Sequence, residues 1–267
     1  MTKTERLIHI GVVGVALLLI FALPSHAQWL NYKLATTPRT PDGKPDLNAP
    51  APKTPEGKPD FSGVWRVNGY QYNIGKDLKP GEIDMLPRAK ALYEQRRKSN
   101  SFDNPWAQCY PGGVPRAWLS PDPFKILYMP VPQVTVVIFE AVQTWRQIFT
   151  DGRGFPNDPD PTYNGYSIGH WDGDTFVVET TGFHDNNWID SAGMPGSDAL
   201  KVTERFRRKD FGHMDVAVTI DDPKMYSKPW TVILPFTPYP DDELVEYVCN
   251  ENNRYPVSDT IKPGEIR

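Results

Sequence analysis

The sequence predicts a mainly β fold: an antiparallel meander closed into a barrel of about 8–10 strands, with one short helix and an extended proline-rich N-terminal arm. Three observations predict it. Short runs of β-branched and aromatic residues succeed one another from residue 124 to 249, with turn residues between them. Residues 165–181 carry two strand-like runs around Asp172-Gly173, a dipeptide that tolerates positive φ in a tight hairpin. Helical periodicity is confined to a single segment. Sequential hairpins favour a closed meander over a sandwich with Greek-key crossings.

The elements follow in order. Residues 1–27 read as a signal peptide: a weakly basic start with Lys3 and Arg6, an apolar run over 10–23, and Pro24-Ser25-His26-Ala27 before a cut. The run is shorter than the roughly 20 residues that span a bilayer, and a retained anchor is the rival reading. No second long apolar stretch follows, so the mature chain is expected to lack an integral membrane segment and to be periplasmic or secreted. Residues 28–60 form the arm. They repeat Thr-Pro-Asp-Gly-Lys-Pro-Asp at 40–46 as Thr-Pro-Glu-Gly-Lys-Pro-Asp at 54–60, turn chemistry with prolines that block ladder pairing. One domain, 61–267, is expected to follow.

That domain opens with a strand over 61–66. Residues 87–98 are the helix candidate, with proline in the first turn and Ala89, Leu92 and Tyr93 making an apolar stripe among basic residues. Residues 101–123 are irregular. Strands are then expected at 124–129, 133–140, 144–150, 163–171, 174–181, 200–208, 213–220, 230–236 and 244–249.

Charge and cysteines narrow the function classes. With 29 basic and 33 acidic residues the formal net charge is −4, which leaves no electrostatic footprint for nucleic acid. The two cysteines, Cys109 and Cys249, are expected to form a disulfide in an oxidising compartment. No metal or cofactor is expected: the acidic stretch 157–161 lacks the EF-hand pattern, and the loop histidine matches no zinc spacing. Gly165-Tyr166-Ser167-Ile168-Gly169 spells a nucleophile elbow, but it continues as a strand instead of turning into a helix.

Strand alternation supplies the candidate site. A two-residue loop at Asp172-Gly173 would pair Tyr166 with Glu179 and put His170 on the same face, which reads as the wet face because Phe176 and Val178 share the other. Glu204 alternates with Val202 and Phe206, so it points inward, where a carboxylate needs a partner. Arg146 on an earlier strand is the candidate. The pair reads either as a core lock or as a lumenal acid and its anion stabiliser. The 18-residue connection 182–199 is long for a meander; His184, Asp185 and Asp190 are polar candidates there, and Trp188 with Met194 could close over an apolar ligand. Trp145, Tyr166, His170, Trp188 and Phe206 complete the candidate ligand contacts.

The motifs Cys109-Tyr-Pro-Gly-Gly-Val-Pro-Arg116, Trp145-Arg-Gln-Ile-Phe-Thr-Asp-Gly-Arg153, Gly169-His-Trp-Asp-Gly-Asp-Thr-Phe-Val-Val-Glu-Thr180 and Val202-Thr-Glu-Arg-Phe-Arg-Arg208 resemble a large group of exported bacterial proteins without an assigned activity. Phe61-Ser-Gly-Val-Trp65 before a meander also resembles lipocalin-type barrels, which implies a cavity for a small, partly apolar molecule. Three readings stand at this level. The first is an enzyme of acid/base type (isomerase, lyase or hydrolase), with Glu204 moving a proton, Arg146 holding an anion, and His184 with Asp185 in a lid. The others are a non-catalytic small-molecule binder and an envelope-associated structural protein. Oligomeric state is left open.

Overall fold

The computed structural model describes residues 33–249, apart from 70, 100–102, 132 and 142–143; the signal peptide expected at 1–27 lies outside the described residues. Strands β1 (Gly63–Val67), β2 (Phe124–Met129), β3 (Val134–Phe139), β4 (Thr144–Phe149), β5 (Tyr166–Asp172), β6 (Thr175–Thr181), β9 (Lys201–Arg208), β10 (Met214–Asp221) and β11 (Trp230–Pro238) close into a nine-stranded barrel. The remaining two, β7 (Asn187–Trp188) and β8 (Pro195–Gly196), form a small ribbon inside the 182–199 connection. The one α-helix among the described residues, α1 (Pro87–Lys98), begins at proline and ends on Arg96, Arg97 and Lys98, which suit the negative end of its dipole.

Spatial order around the ring follows chain order, as a meander requires. An odd number of strands cannot alternate direction all the way round, so one neighbouring pair must be parallel. That pair is β4 and β5, and its ladder holds only Ile148↔Ser167 and Phe149↔Ile168. The connection between them is correspondingly long, since a parallel pair needs a crossover rather than a tight turn. The barrel is therefore antiparallel except at this one seam.

Two sequence expectations are corrected. The β5–β6 loop is Gly173-Asp174, because Asp172 pairs with Thr175 and Tyr166 with Thr181. Gly173, at φ +59°, takes the first central position, which is where a II′ loop needs its glycine. The pairing slides by two positions, so every side chain keeps its face but meets a different neighbour: Glu179 lies opposite Ile168, not Tyr166. Residues 244–249 form no strand. They run past the barrel, with Val245 N–H donating to Glu140 (2.8 Å) and Cys249 bonded to Cys109.

The arm is held on the barrel. Its two repeats fold into the same turn: Thr40 N–H donates to Lys44 O and Gly43 N–H to Thr40 O, and Thr54, Lys58 and Gly57 reproduce the pattern. Gly43 and Gly57 sit at φ +81° and +79°, the left-handed region that this turn demands of them. Backbone bonds from Phe211 and Gly212 to Ala49 and Leu47 fix the segment between the turns. Arg208 ends β9 by donating to the carbonyls of Asp60, Asp210 and Phe211, with its guanidinium 4.7 Å from the Trp65 ring.

The disulfide spans 140 residues and would contribute about 4–5 kcal/mol in the chain-entropy treatment. Changing both Cys109 and Cys249 to Ala is expected to lower the denaturant-unfolding free energy by a few kcal/mol. Thiol titration of the denatured, unreduced protein should find no free thiol; two free thiols would refute the bridge.

Candidate functional site

The barrel interior divides into three zones. At one mouth, inward residues of β2, β3 and β4 (Ile126, Val137, Ile148) face those of β5, β6 and β9 (Trp171, Phe176, Phe206) around a cavity of about 260 Å³. Phe61 completes the aromatic wall: its ring lies 5.8 Å from Trp171 at an interplanar angle of 21° and 6.1 Å from Phe206. The second turn of the arm overhangs this mouth through Thr54, Glu56 and Lys58, while Asp60, Ser62, Tyr128, Gln133, Thr135 and Thr150 add further polar groups. Lys58 is anchored by a 2.8 Å bond from Nζ to Gly173 O, and the same ammonium lies 5.8 Å from the Trp171 ring.

One layer deeper, two residues along β4 and β9 from Ile148 and Phe206, the structure brings Arg146 and Glu204 together. Arg146 Nη2 lies 2.5 Å from Glu204 Oε2 and Nη1 lies 3.1 Å from Oε1, with side chains 1% and 0% exposed. Arg146 Nε donates to Ser167 (2.9 Å), and Nη2 donates also to Thr180 (2.6 Å). Trp118 Nε1 supplies a further bond to Glu204 Oε1 at 2.5 Å. Both carboxylate oxygens are thus engaged, and four guanidinium bonds are made. Burying such a pair is tolerable only when the hydrogen bonding is this complete. Trp118 comes from a 3₁₀ turn, Arg116–Leu119, and its indole packs edge-on against Phe124, Phe139, Phe206 and Phe236.

The far mouth is closed by the 182–199 connection. Residues 187–197 are buried throughout. Trp188 lies between two guanidinium groups, Arg96 at 4.5 Å and Arg116 at 5.3 Å from its ring. Arg96 donates to the carbonyls of Asn186, Asn187 and Gly193, and burial pulls its pKa down to about 10, so it stays charged at neutral pH. Asp190 accepts from the backbone N–H groups of Ile74 and Met194; burial raises its pKa, and these bonds oppose the shift. The connection is a packed plug, with Trp188 and Met194 buried inside it.

The other sequence candidates lie outside the lumen. Trp145 is 60% exposed on the outer face of β4. With Tyr166 and His184 it lines an open cleft at the parallel seam, where the His184 ring sits 4.9 Å from that of Tyr163. Arg146 and Ser167 form part of the wall of this cleft. His170 is exposed on the outer face of β5. Asp185 is exposed and pairs with Arg88 at 3.5 Å. Of the sequence-level candidates, Phe206 alone lines the mouth cavity.

Sequence reasoning missed Trp118, Phe61, Trp171, Phe176 and Thr54 as site residues. Period-two alternation already put Trp171 and Phe176 on the inner face, and Ala117-Trp118-Leu119 was an apolar island in a proline-rich loop, the one cue that this loop is buried.

Fold and cavity define a class: a closed nine-stranded β-barrel, plugged at one end and open at the other onto a pocket with aromatic and aliphatic walls and a polar rim. No family model, curated protein or solved structure matches the chain. The lipocalin likeness therefore rests on barrel closure alone.

Glu204→Gln, which leaves the Arg146 charge buried without its counterion, is expected to cost about 3–5 kcal/mol of stability in chemical denaturation. The double variant Arg146→Met/Glu204→Leu should recover much of that loss. An unchanged midpoint for Glu204→Gln would show that the pair carries no structural weight. Trp188→Ala is expected to cost about 3–5 kcal/mol, through the loss of a core side chain from the plug.

Proposed function

We propose that this protein is exported and holds one small, partly apolar or aromatic molecule in the mouth cavity of its barrel. The observation that carries this reading is the cavity itself, concave and lined by Phe61, Trp171, Phe176 and Phe206 with a few polar groups at its rim. Ligand pockets have this composition, mostly apolar walls with a small number of polar groups that set orientation. The volume, about 260 Å³, lies just below the roughly 300–1,000 Å³ typical of drug-sized ligands, which favours a compact ligand. Export is supported by the Cys109–Cys249 bridge, a bond at home in oxidising compartments. Among the described residues no helix is long and apolar enough to cross a membrane.

Binding without chemistry is the favoured form of this reading. A proton-transfer residue needs a lone pair or proton within reach of the ligand. Glu204 spends both oxygens on Arg146 and Trp118, and neither Glu204 nor Arg146 lines the mouth cavity. In this reading the pair is a lock that sets the depth of the pocket.

The neutral environment-sensitive dye N-phenyl-1-naphthylamine should bind the native protein saturably, with one site per chain. Val137→Trp, which fills the cavity from the β3 wall, is expected to weaken binding at least tenfold while far-UV circular dichroism stays native. Trp188→Ala, at the other mouth, should leave the dye affinity unchanged. Equal affinity of wild type and Val137→Trp would remove the cavity as the binding site.

A further inference from the structure

We infer that the open cleft at the parallel seam is a second binding site, for neutral sugar chains, with the Trp145 indole as the platform on which a pyranose ring stacks. The topology creates the cleft. β4 and β5 pair only at Ile148↔Ser167 and Phe149↔Ile168, so residues 144–147 have no partner in β5. Between them and the segment 161–166 lies a cleft of about 550 Å³. Asn164 crosses from one side to the other, with Nδ2 donating to Thr144 Oγ1 (3.0 Å) and Trp145 O (2.9 Å). The cleft shares no lining residue with the mouth cavity, so the two sites are independent.

The side chains that reach the cleft from β4 are those of its outer face. Trp145 is 60% exposed, Gln147 is exposed and Phe149 is half-buried. The other aromatic rings of the cleft have neighbours. Tyr163 stacks on Tyr110 (5.6 Å) and lies 4.9 Å from His184. Tyr166 stacks on Phe149 (5.2 Å), and the Arg153 guanidinium lies 4.0 Å from the Phe149 ring. Trp145 alone has neither an aromatic nor a cationic neighbour among the described residues. An apolar side chain exposed by itself on a convex surface needs no explanation, but an indole exposed inside a concave, ring-lined cleft marks a ligand surface.

Charge and polarity select the ligand. Arg146 is the only Lys, Arg, Asp or Glu among the lining residues; it is 1% exposed, and its guanidinium is engaged by Ser167, Thr180 and Glu204. Arg153, beside the cleft, is paired with Asp151 at 2.6 Å. A phosphate or carboxylate would find no free counterion. A purely apolar ligand would cover Gln147, Thr162 and His184, whose exposed side chains make no hydrogen bond among the described residues and would lose their water. A sugar matches both properties. An equatorially substituted pyranose presents C–H groups on its faces, which stack on an indole, and hydroxyls around its edge, which donate and accept. Gln147 is the next side chain on the same face of β4, about 7 Å along the strand, within reach of the edge of a ring stacked on Trp145.

Isothermal titration calorimetry of the full chain with cellotetraose tests the assignment. Wild type should bind it saturably. Trp145→Ala is expected to weaken binding about tenfold, the worth of one stacked ring and its buried area, while far-UV circular dichroism and the unfolding midpoint stay native because the side chain is exposed. Trp145→Phe keeps a flat ring and should hold binding within about threefold. A β-1,4-linked glucuronate tetramer, of the same ring shape but charged, should bind about fivefold more weakly or worse, since its carboxylates would be desolvated without a partner. No saturable binding of cellotetraose, or equal affinity of wild type and Trp145→Ala, overturns the site. Binding of octaproline in place of cellotetraose would make the cleft a peptide groove and overturn the sugar assignment. A glucuronate tetramer that binds as tightly as cellotetraose overturns the selection for neutral chains.

Discussion

The buried contact between Arg146 and Glu204, with the Arg146 bonds to Ser167 and Thr180, joins four of the nine barrel strands. A nine-stranded ring must contain a parallel pair, and this one pairs β4 with β5 at only two positions. Backbone hydrogen bonding is thinnest there. Arg146, on β4, reaches Ser167 on β5, Thr180 on β6 and Glu204 on β9. One guanidinium thus ties the weak seam to the strands beyond it. Arginine suits the task because its donors are fixed in a plane and it stays charged when buried. Glutamate opposite it accepts at both oxygens, and Trp118 enters the lumen to add its own donor and to fill the space around the pair.

That contact also divides the lumen. On one side the interior is filled by Trp118 and its phenylalanine neighbours, then sealed by the plug with Trp188 held between Arg96 and Arg116. On the other side the side chains stop short of the rim and a pocket remains. The asymmetry comes from the connections. The far mouth receives an 11-residue buried stretch, 187–197, whereas the near mouth receives only the arm, whose prolines prevent it from pairing as a strand and whose turns hold it at the edge. The barrel is thus closed at one end by a folded loop and overhung at the other, beside its pocket, by a short turn that carries Thr54 and Lys58.

Much of the framework was legible from sequence. The helix at 87–98 and the strand at 124–129 coincide with the observed elements, and eight further barrel strands are displaced only at their ends. Local signals suffice for these: proline at a helix start, period-two alternation, glycine at turns. The inward pointing of Glu204 followed from the same alternation. The two expectations that slipped did so for physical reasons. Asp172-Gly173 suggested the loop, but the glycine is used one place earlier within it, which moves the pairing by two residues without exchanging the faces. Residues 244–249 have strand-like composition, but the ring is already closed by β1 against β11 and offers them no edge.

The candidate site was less legible. Trp145, Tyr166, His170 and His184 drew notice as polar or aromatic residues near turns, and the structure puts them on the outer wall and in its cleft. The pocket is built instead by residues that read as ordinary core, Phe176 and Phe206 among them, and by a turn that read as linker. Local patterning by itself determined which side chains face inward, where the chain turns, and that the two repeats share a backbone, because each of these depends on residues within a few positions of one another. Only the tertiary structure decided where the parallel seam falls, which carboxylate Arg146 meets and which mouth is plugged. Those outcomes depend on ring closure and on contacts between residues far apart in the chain, and strand alternation, a local property, carries no information about them.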